Sequence, residues 1–353
     1  MKANFLKYFI LLTSFIVILF PEMALAHIKW FIEFDMREPP QSLFSEKHQI
    51  YYAIMLTLSL LGVSFAIIID RFWHRKWGDF NFIDQLFSHY DDIALNIARI
   101  GTGVFFVGVW LVGGILFTPE LLTENAAIAY IQLMIATAVL FRRSLILAGL
   151  GILLLYSIAV YEYGLFHLID YITLVGLAIY LMLSANKSPR TEAYRLPILY
   201  YSLIFSFIWS AIEKIAYPEW FYGFLTKHHT LTMGLDLDFF IASMAFVEFT
   251  LFFLLLIARN GTILVAFIIN LVISSGNIYF GKMDAIGHFP ANFILLIILI
   301  KGATPFNHHY LDYSLGWLKP VLKGLLSYLF VLAAFLAFYY SMHWLIYVSP
   351  LFN

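Results

Sequence analysis

Long apolar runs separated by short polar stretches dominate the chain from residue 49 onward. An α-helix needs about 20 apolar residues to cross the hydrocarbon core of a bilayer, and most of these runs approach that length. The pattern predicts about ten transmembrane helices, at residues 49–70, 93–117, 126–141, 144–162, 168–184, 197–216, 238–258, 262–280, 287–301 and 321–347. The predicted fold is therefore all-α and polytopic.

Composition supports a membrane protein. Of 353 residues, 62% are hydrophobic and 12% are charged, whereas soluble domains are about 45–50% apolar and about 25% charged. Membrane lipid is thus the first expected partner. The chain has no cysteine, which excludes disulfides, iron–sulfur clusters and a cysteine nucleophile. A net charge of −1 without a basic tract argues against nucleic acid as a partner.

Residues 1–26 have the pattern of a secretory signal peptide. Lys2 and Lys7 precede the apolar run 8–20, and Ala24-Leu25-Ala26 matches the small-x-small cleavage site. Cleavage would make His27 the first residue of the mature chain. The alternative is an uncleaved first helix.

The distribution of basic residues predicts the orientation of the chain, because Lys and Arg concentrate in cytoplasmic loops. With His27 outside, the predicted cytoplasmic side holds Arg71, Arg75, Lys76, Arg99, Arg142, Arg143, Lys187, Arg190, Arg195, Arg259, Lys301, Lys319 and Lys323. The predicted outer side holds fewer, namely Lys29, Arg37, Lys47, Lys214, Lys227 and Lys282. Together with the signal peptide, this bias predicts a bacterial-type inner membrane and a mature N-terminus on the periplasmic side.

Helices two to five and six to nine show related marks in the same order. Pro119-Glu120 follows the first helix of one set as Pro218-Glu219 follows that of the other, and Gln132 precedes Arg143 by as many residues as Glu248 precedes Arg259. Two parallel four-helix repeats are therefore predicted. The predicted segments are a signal peptide (1–26), an outer-side N-terminal segment (27–48), a first helix with a cytoplasmic interfacial segment (49–92), repeat A (93–184), repeat B (185–301) and a cytoplasmic loop with the last helix (302–353).

Repeat B resembles the DoxX-like superfamily of four-helix membrane proteins. The resemblance rests on Glu213-Lys214 with Pro218 after the first helix, on Glu248 inside the second, and on Gly287-His288 at the fourth. Repeat A looks like a diverged copy. The family is associated with respiratory redox proteins, including a membrane subunit of a thiosulfate:quinone oxidoreductase. The resemblance implies a four-helix fold and, less directly, a redox-associated function.

Glu248 is the leading candidate for chemistry, because a carboxyl group in the middle of an apolar helix is costly and usually functional. It is expected to relay a proton or to hydrogen-bond a quinone headgroup, with Asn270 of the next helix as partner. The alternative is a polar contact that joins two helices. Glu213 is a second candidate if it faces the bundle, whereas Lys214 can extend to the interface.

Histidines collect on the predicted outer side and suggest a copper or zinc site. His167 and His288 lie at the start of the fourth helix of each repeat, with Asp170 and Asp284 one turn away. The other candidate ligands are His27, whose α-amine can chelate with its imidazole, and the pair His228-His229. Ordinary surface histidines are the alternative.

Three functions are consistent with these features. The first is a redox-associated inner-membrane protein that interacts with quinone. The second is a periplasmic-face protein that binds or handles copper or zinc. The third is a non-catalytic assembly or scaffold subunit, with a respiratory or periplasmic protein as partner. No phosphate-binding glycine loop, serine-nucleophile elbow or HExxH motif is found in the sequence.

Overall fold

The structure is a computed structural model that describes residues 28–43, 46–79, 85, 92–186, 188–314 and 316–349. The predicted signal peptide and His27 lie outside these residues. Within them the chain is all-helical, with a single isolated bridge between Ile115 and Leu122.

Twelve α-helices make up the described chain. They are α1 (Glu46–Trp77), α2 (Ile93–Val112), α3 (Ala127–Ala138), α4 (Leu145–Tyr163), α5 (Leu165–Ser184, with a 3-10 turn at Ile169–Tyr171), α6 (Pro189–Ala216), α7 (Glu219–Lys227), α8 (Leu237–Ile257), α9 (Gly261–Phe280), α10 (Lys282–Lys301), α11 (Pro305–Tyr310) and α12 (Leu318–His343). A π-helical turn, Trp344–Val348, extends α12.

Eight of the described helices are long and apolar enough to cross a bilayer, namely α1, α2, α4, α5, α6, α8, α10 and α12. The apolar parts of α3 and α9 are shorter. The protein thus fits a multi-pass integral membrane protein, whereas the count of ten spans stays a prediction.

Several helix boundaries differ from the predicted ones, including the end of α2 and the start of α10. Helix α2 ends at Val112 and not at 117, because Gly113 and Gly114 adopt positive φ angles of 72° and 68° that favour glycine. Helix α10 begins at Lys282, five residues earlier than predicted, so that His288 lies inside the helix and does not open it.

The helices pack as two rings of four that share a broad interface. In the first ring α2 packs on α3, α3 on α4, α4 on α5, and α5 on α2. The second ring repeats this order with α6, α8, α9 and α10. Between the rings α5 packs on α6 and α10 on α2, while α1 and α12 pack together against the second ring.

Residues 28–43, called the N-segment here, cross one end of the bundle and tie several helices together. Gln41 N donates to Ala216 O at 2.8 Å, at the end of α6, and Tyr340 Oη of α12 donates to Gln41 O at 2.7 Å. Tyr217 Oη donates to Glu38 O at 2.9 Å. These bonds order the N-segment against the helix ends.

Asp70, near the end of α1, organises the opposite end of the bundle. Its buried carboxylate accepts backbone N–H groups of Arg259, Asn260 and Gly261 at 2.7–2.9 Å, at the start of α9. It also accepts the Tyr313 hydroxyl at 2.7 Å. The carboxylate oxygens thus pair backbone N–H groups that the start of a helix leaves without partners. The positive end of the α9 dipole also stabilises the negative charge of the carboxylate.

Replacing Asp70 with alanine removes all of these acceptors at once. We expect Asp70→Ala to lower the free energy of unfolding by about 2–4 kcal/mol, because charge-assisted hydrogen bonds contribute about 1.5–3 kcal/mol each and neighbouring bonds are not additive. Thermal unfolding in detergent, followed by tryptophan fluorescence, measures the change. The exposed Asp312, whose carboxylate accepts the Ser314 N–H at 2.9 Å, supplies the control Asp312→Ala. Equal melting temperatures for the two variants would contradict the role of Asp70.

Candidate buried proton site

Lys29 lies at the centre of a buried polar site, although it belongs to the N-segment and not to a spanning helix. Lys29 is only 2% exposed, and its Nζ lies 2.8 Å from Asp170 Oδ2 and 3.0 Å from Glu213 Oε2. Burial lowers the pKa of Lys29, but attraction to Asp170 and Glu213 outweighs burial and raises the pKa above its ordinary value. The charged ammonium group therefore joins α5 to α6.

Trp30, the next residue, fixes the N-segment on α10. Its ring centroid lies 4.6 Å from that of His288, and it packs so closely on Gly287 that a Cβ there would lie 2.2 Å from the indole. Trp30 Nε1 donates to Tyr171 Oη at 3.1 Å, and the Tyr171 hydroxyl donates to Glu120. Gly287 is thus needed for the N-segment to approach.

A second buried ion pair lies deeper, between Lys214 and Glu248 at 2.8 Å. Lys214 Nζ also donates to Ser210 Oγ at 2.9 Å. Adjacent residues of a helix point about 100° apart, so Glu213 turns to Lys29 while Lys214 turns to Glu248. Lys214 is buried and does not extend to the interface.

Asn270, the expected partner of Glu248, donates instead to Asn292 O of α10 at 3.2 Å. The structure therefore brings Glu248 and Glu213 into one polar site, each bound to a lysine, and places Asn270 at a different contact.

Two buried histidines of the site lie beside carboxyl groups. His288 Nδ1 is 3.1 Å from Asp284 Oδ1, one turn away on α10, as their spacing suggests. His167 Nε2 is 3.7 Å from Glu120 Oε1, whereas Asp170 binds Lys29. Both histidines are at most 3% exposed.

The remaining metal-ligand candidates, His228 and His229, form no metal site with His167 and His288 among the described residues. His228 packs its ring 4.6 Å from that of Phe224, and His229 is exposed. Among the described residues no group of three or more His, Asp or Glu side chains has a geometry that could hold a metal ion. His27 lies outside those residues, so its proposed chelate stays a prediction.

Carboxyl groups outnumber lysines in the described part of the site. The carboxyl groups are those of Glu120, Asp170, Glu213, Glu248 and Asp284, and the ammonium groups are those of Lys29 and Lys214. Lys29 alone serves two carboxyl groups. Buried charge without compensation is costly, so an excess of carboxyl groups favours the binding of protons or other cations at such a site.

Sequence reasoning missed the two residues that organise this site. Lys29 counts as an ordinary basic residue of an outer segment when only topology is considered. Asp170 looks like the partner of His167 by spacing, whereas it binds a residue 141 positions earlier. The available signal was a lysine directly before a tryptophan, Lys29-Trp30, in the N-segment.

Removing the Lys29 ammonium leaves two buried carboxyl groups without their cation. We expect Lys29→Met to lower the free energy of unfolding by about 3–5 kcal/mol, the usual cost of breaking a buried ion pair. The exposed Lys227 provides the matched control Lys227→Met, which should change stability by less than about 0.5 kcal/mol. Thermal unfolding of both proteins measures this, and a Lys29→Met protein as stable as the control would exclude a structural role for the ion pairs.

Comparison with known proteins adds no family to this description. No family model, no curated protein and no solved structure matches the chain. The DoxX-like resemblance accordingly remains an expectation drawn from the sequence, and the function is argued from the site itself.

Proposed function

We propose that this integral membrane protein binds and passes protons through the buried site at its N-segment end, as part of a redox-associated function. The observation that carries the proposal is the excess of buried carboxyl groups over lysines among the described residues. Ionisable residues are energetically costly inside a membrane protein and usually occur where they serve a function. Proton relays are a common function of such residues.

The arrangement supports proton exchange between neighbours. Asp170 and Glu213 share the ammonium group of Lys29, so a proton on either carboxyl group leaves one full ion pair. Asp284 Oδ1 and His288 Nδ1 form a second close pair, 3.1 Å apart. Such sites change protonation without losing their hydrogen-bonded neighbours, which keeps the cost of each change small.

The geometry favours proton relay over direct quinone contact as the role of Glu248. Glu248 is 1% exposed, and its carboxylate forms an ion pair with Lys214. The cavity at the site measures about 40 Å³, whereas small-molecule pockets measure about 300–1,000 Å³. Association with quinone chemistry, which consumes or releases protons, rests on the DoxX-like resemblance. The metal and scaffold interpretations have no comparable observation among the described residues.

The predicted repeat is consistent with the two rings of helices. Gln132 of α3 donates to Ile115 O at 2.8 Å, and Glu248 of α8 contacts Lys214, the position that corresponds to Ile115 in the sequence. We propose that repeat B retained the charged residues while repeat A replaced that pair with an amide–backbone contact. The bias of Lys and Arg supports a periplasmic N-segment, and the site would then lie in the outer half of an inner membrane.

Infrared spectroscopy tests the proposal through the C=O stretching band of protonated carboxyl groups. We expect the purified protein to show such a band at neutral pH, and Glu213→Gln to weaken it while the protein still inserts and stays monodisperse. Glutamine keeps the size of Glu213 and an oxygen that can accept the Lys29 bond, so the fold should survive.

Glu162→Gln provides the control, since Glu162 is exposed and lies outside the buried site; its spectrum should match that of the unaltered protein. Absence of any carboxylic acid band at neutral pH would show that every carboxyl group is ionised and would overturn the proposal.

A further inference from the structure

A small cavity separates the Lys29 side of the site from the His288 side. It measures about 40 Å³ and lies between α2, the stretch after α2, α5, α6, α10 and Trp30 of the N-segment. Its polar lining includes Thr118, Asp170, Ser206 and His288. Asp170 and His288 belong to different halves of the buried site, one bound to Lys29 and the other beside Asp284.

The volume suits water. A buried water needs about 10–15 Å³ of such space and two to four polar partners, so the cavity accommodates about three waters. A quinone ring or another organic ligand does not fit in this space.

Two hydroxyl groups of the lining offer hydrogen bonds that water can complete. Thr118 is 3% exposed, and its Oγ1 has no hydrogen-bond partner among the described residues. Buried hydroxyl groups are nearly always bonded, to protein or to water. Ser206 Oγ accepts the Thr173 N–H at 3.0 Å and lies 2.9 Å from the Thr173 hydroxyl oxygen, which leaves Ser206 one further hydrogen bond as donor or acceptor.

We propose that water molecules bound by Thr118 and Ser206 fill this cavity and form a proton path between Asp170 and His288. A proton enters the first water at one end of the path and leaves the last water at the other, so each water accepts one proton and donates one. The Lys29 and Asp284 ends of the site then exchange protons through the cavity. This inference rests on the proposed proton-binding function, but the water itself can be tested separately.

Hydroxyl-radical footprinting of the full-length protein in detergent tests for the water, because radicals generated by an X-ray pulse modify side chains beside bound water even in a protein interior. Phe105 lines the cavity, and its neighbour Phe106 does not; they are 2% and 0% exposed. We expect Phe105 to be modified at least several-fold faster than Phe106. Ala291→Leu, which adds a side chain into the cavity lining, should reduce the difference. Equal, slow modification of both rings in the unaltered protein would show a dry cavity and overturn the proposal.

The path is tested by the rate at which the carboxylic acid band shifts after transfer to D₂O. Thr118→Val removes a hydroxyl group without changing side-chain shape much, and should slow this exchange about tenfold or more. Thr102→Val is the matched control, because Thr102 Oγ1 is also buried without a partner among the described residues but lies outside the cavity lining.

These outcomes separate the two proposals. Fast modification of Phe105 with unchanged exchange in Thr118→Val would refute the proton path while leaving the proton-binding site intact. A missing carboxylic acid band would instead refute the proton-binding function, whatever the footprinting shows.

Discussion

The ammonium group of Lys29 lies within 3.0 Å of carboxylate oxygens of both Asp170 and Glu213 in a region almost free of solvent. Two carboxylates buried side by side would repel each other strongly at low dielectric, and the Lys29 ammonium group between them relieves this repulsion where α5 packs on α6. The cation comes from the N-segment. Docking of this segment therefore stabilises that end of the bundle, and Trp30 packs closely on Gly287 beside it.

The same constraint leads from structure to function. One lysine lies between Asp170 and Glu213, and Glu120 and Asp284 lie beside histidines, so carboxyl groups outnumber ammonium groups among the described residues of the site. A site whose neutrality depends on bound protons responds to any reaction that consumes or releases them. The association with redox chemistry remains a proposal, and it does not require that a quinone enter the site.

The sequence predicts the all-helical, multi-pass character of the protein, because apolar periodicity and length are local properties, whereas ten spans and two repeats stay predictions. It also identifies Glu248 correctly as buried, since a carboxyl group in the middle of an apolar helix has few alternatives. The spacing of Asp284 and His288 predicts their contact, because both lie on one helix. Lys29 could not be assigned in this way, since its partners are 141 and 184 residues away and depend on how the N-segment docks. The early end of α2 depends likewise on backbone angles that a glycine pair permits but does not require.

A double-mutant cycle of Lys29→Met and Asp170→Asn measures whether the Lys29 ammonium group neutralises the buried carboxyl groups. We expect Lys29→Met alone to be strongly destabilising. Adding Asp170→Asn should recover part of the lost stability, because it removes an uncompensated buried charge. The expected coupling free energy is about 1–3 kcal/mol. Thermal unfolding of the four proteins in detergent gives this value. Additive effects, with no recovery in the double variant, would contradict the claim that the Lys29 ammonium neutralises this site.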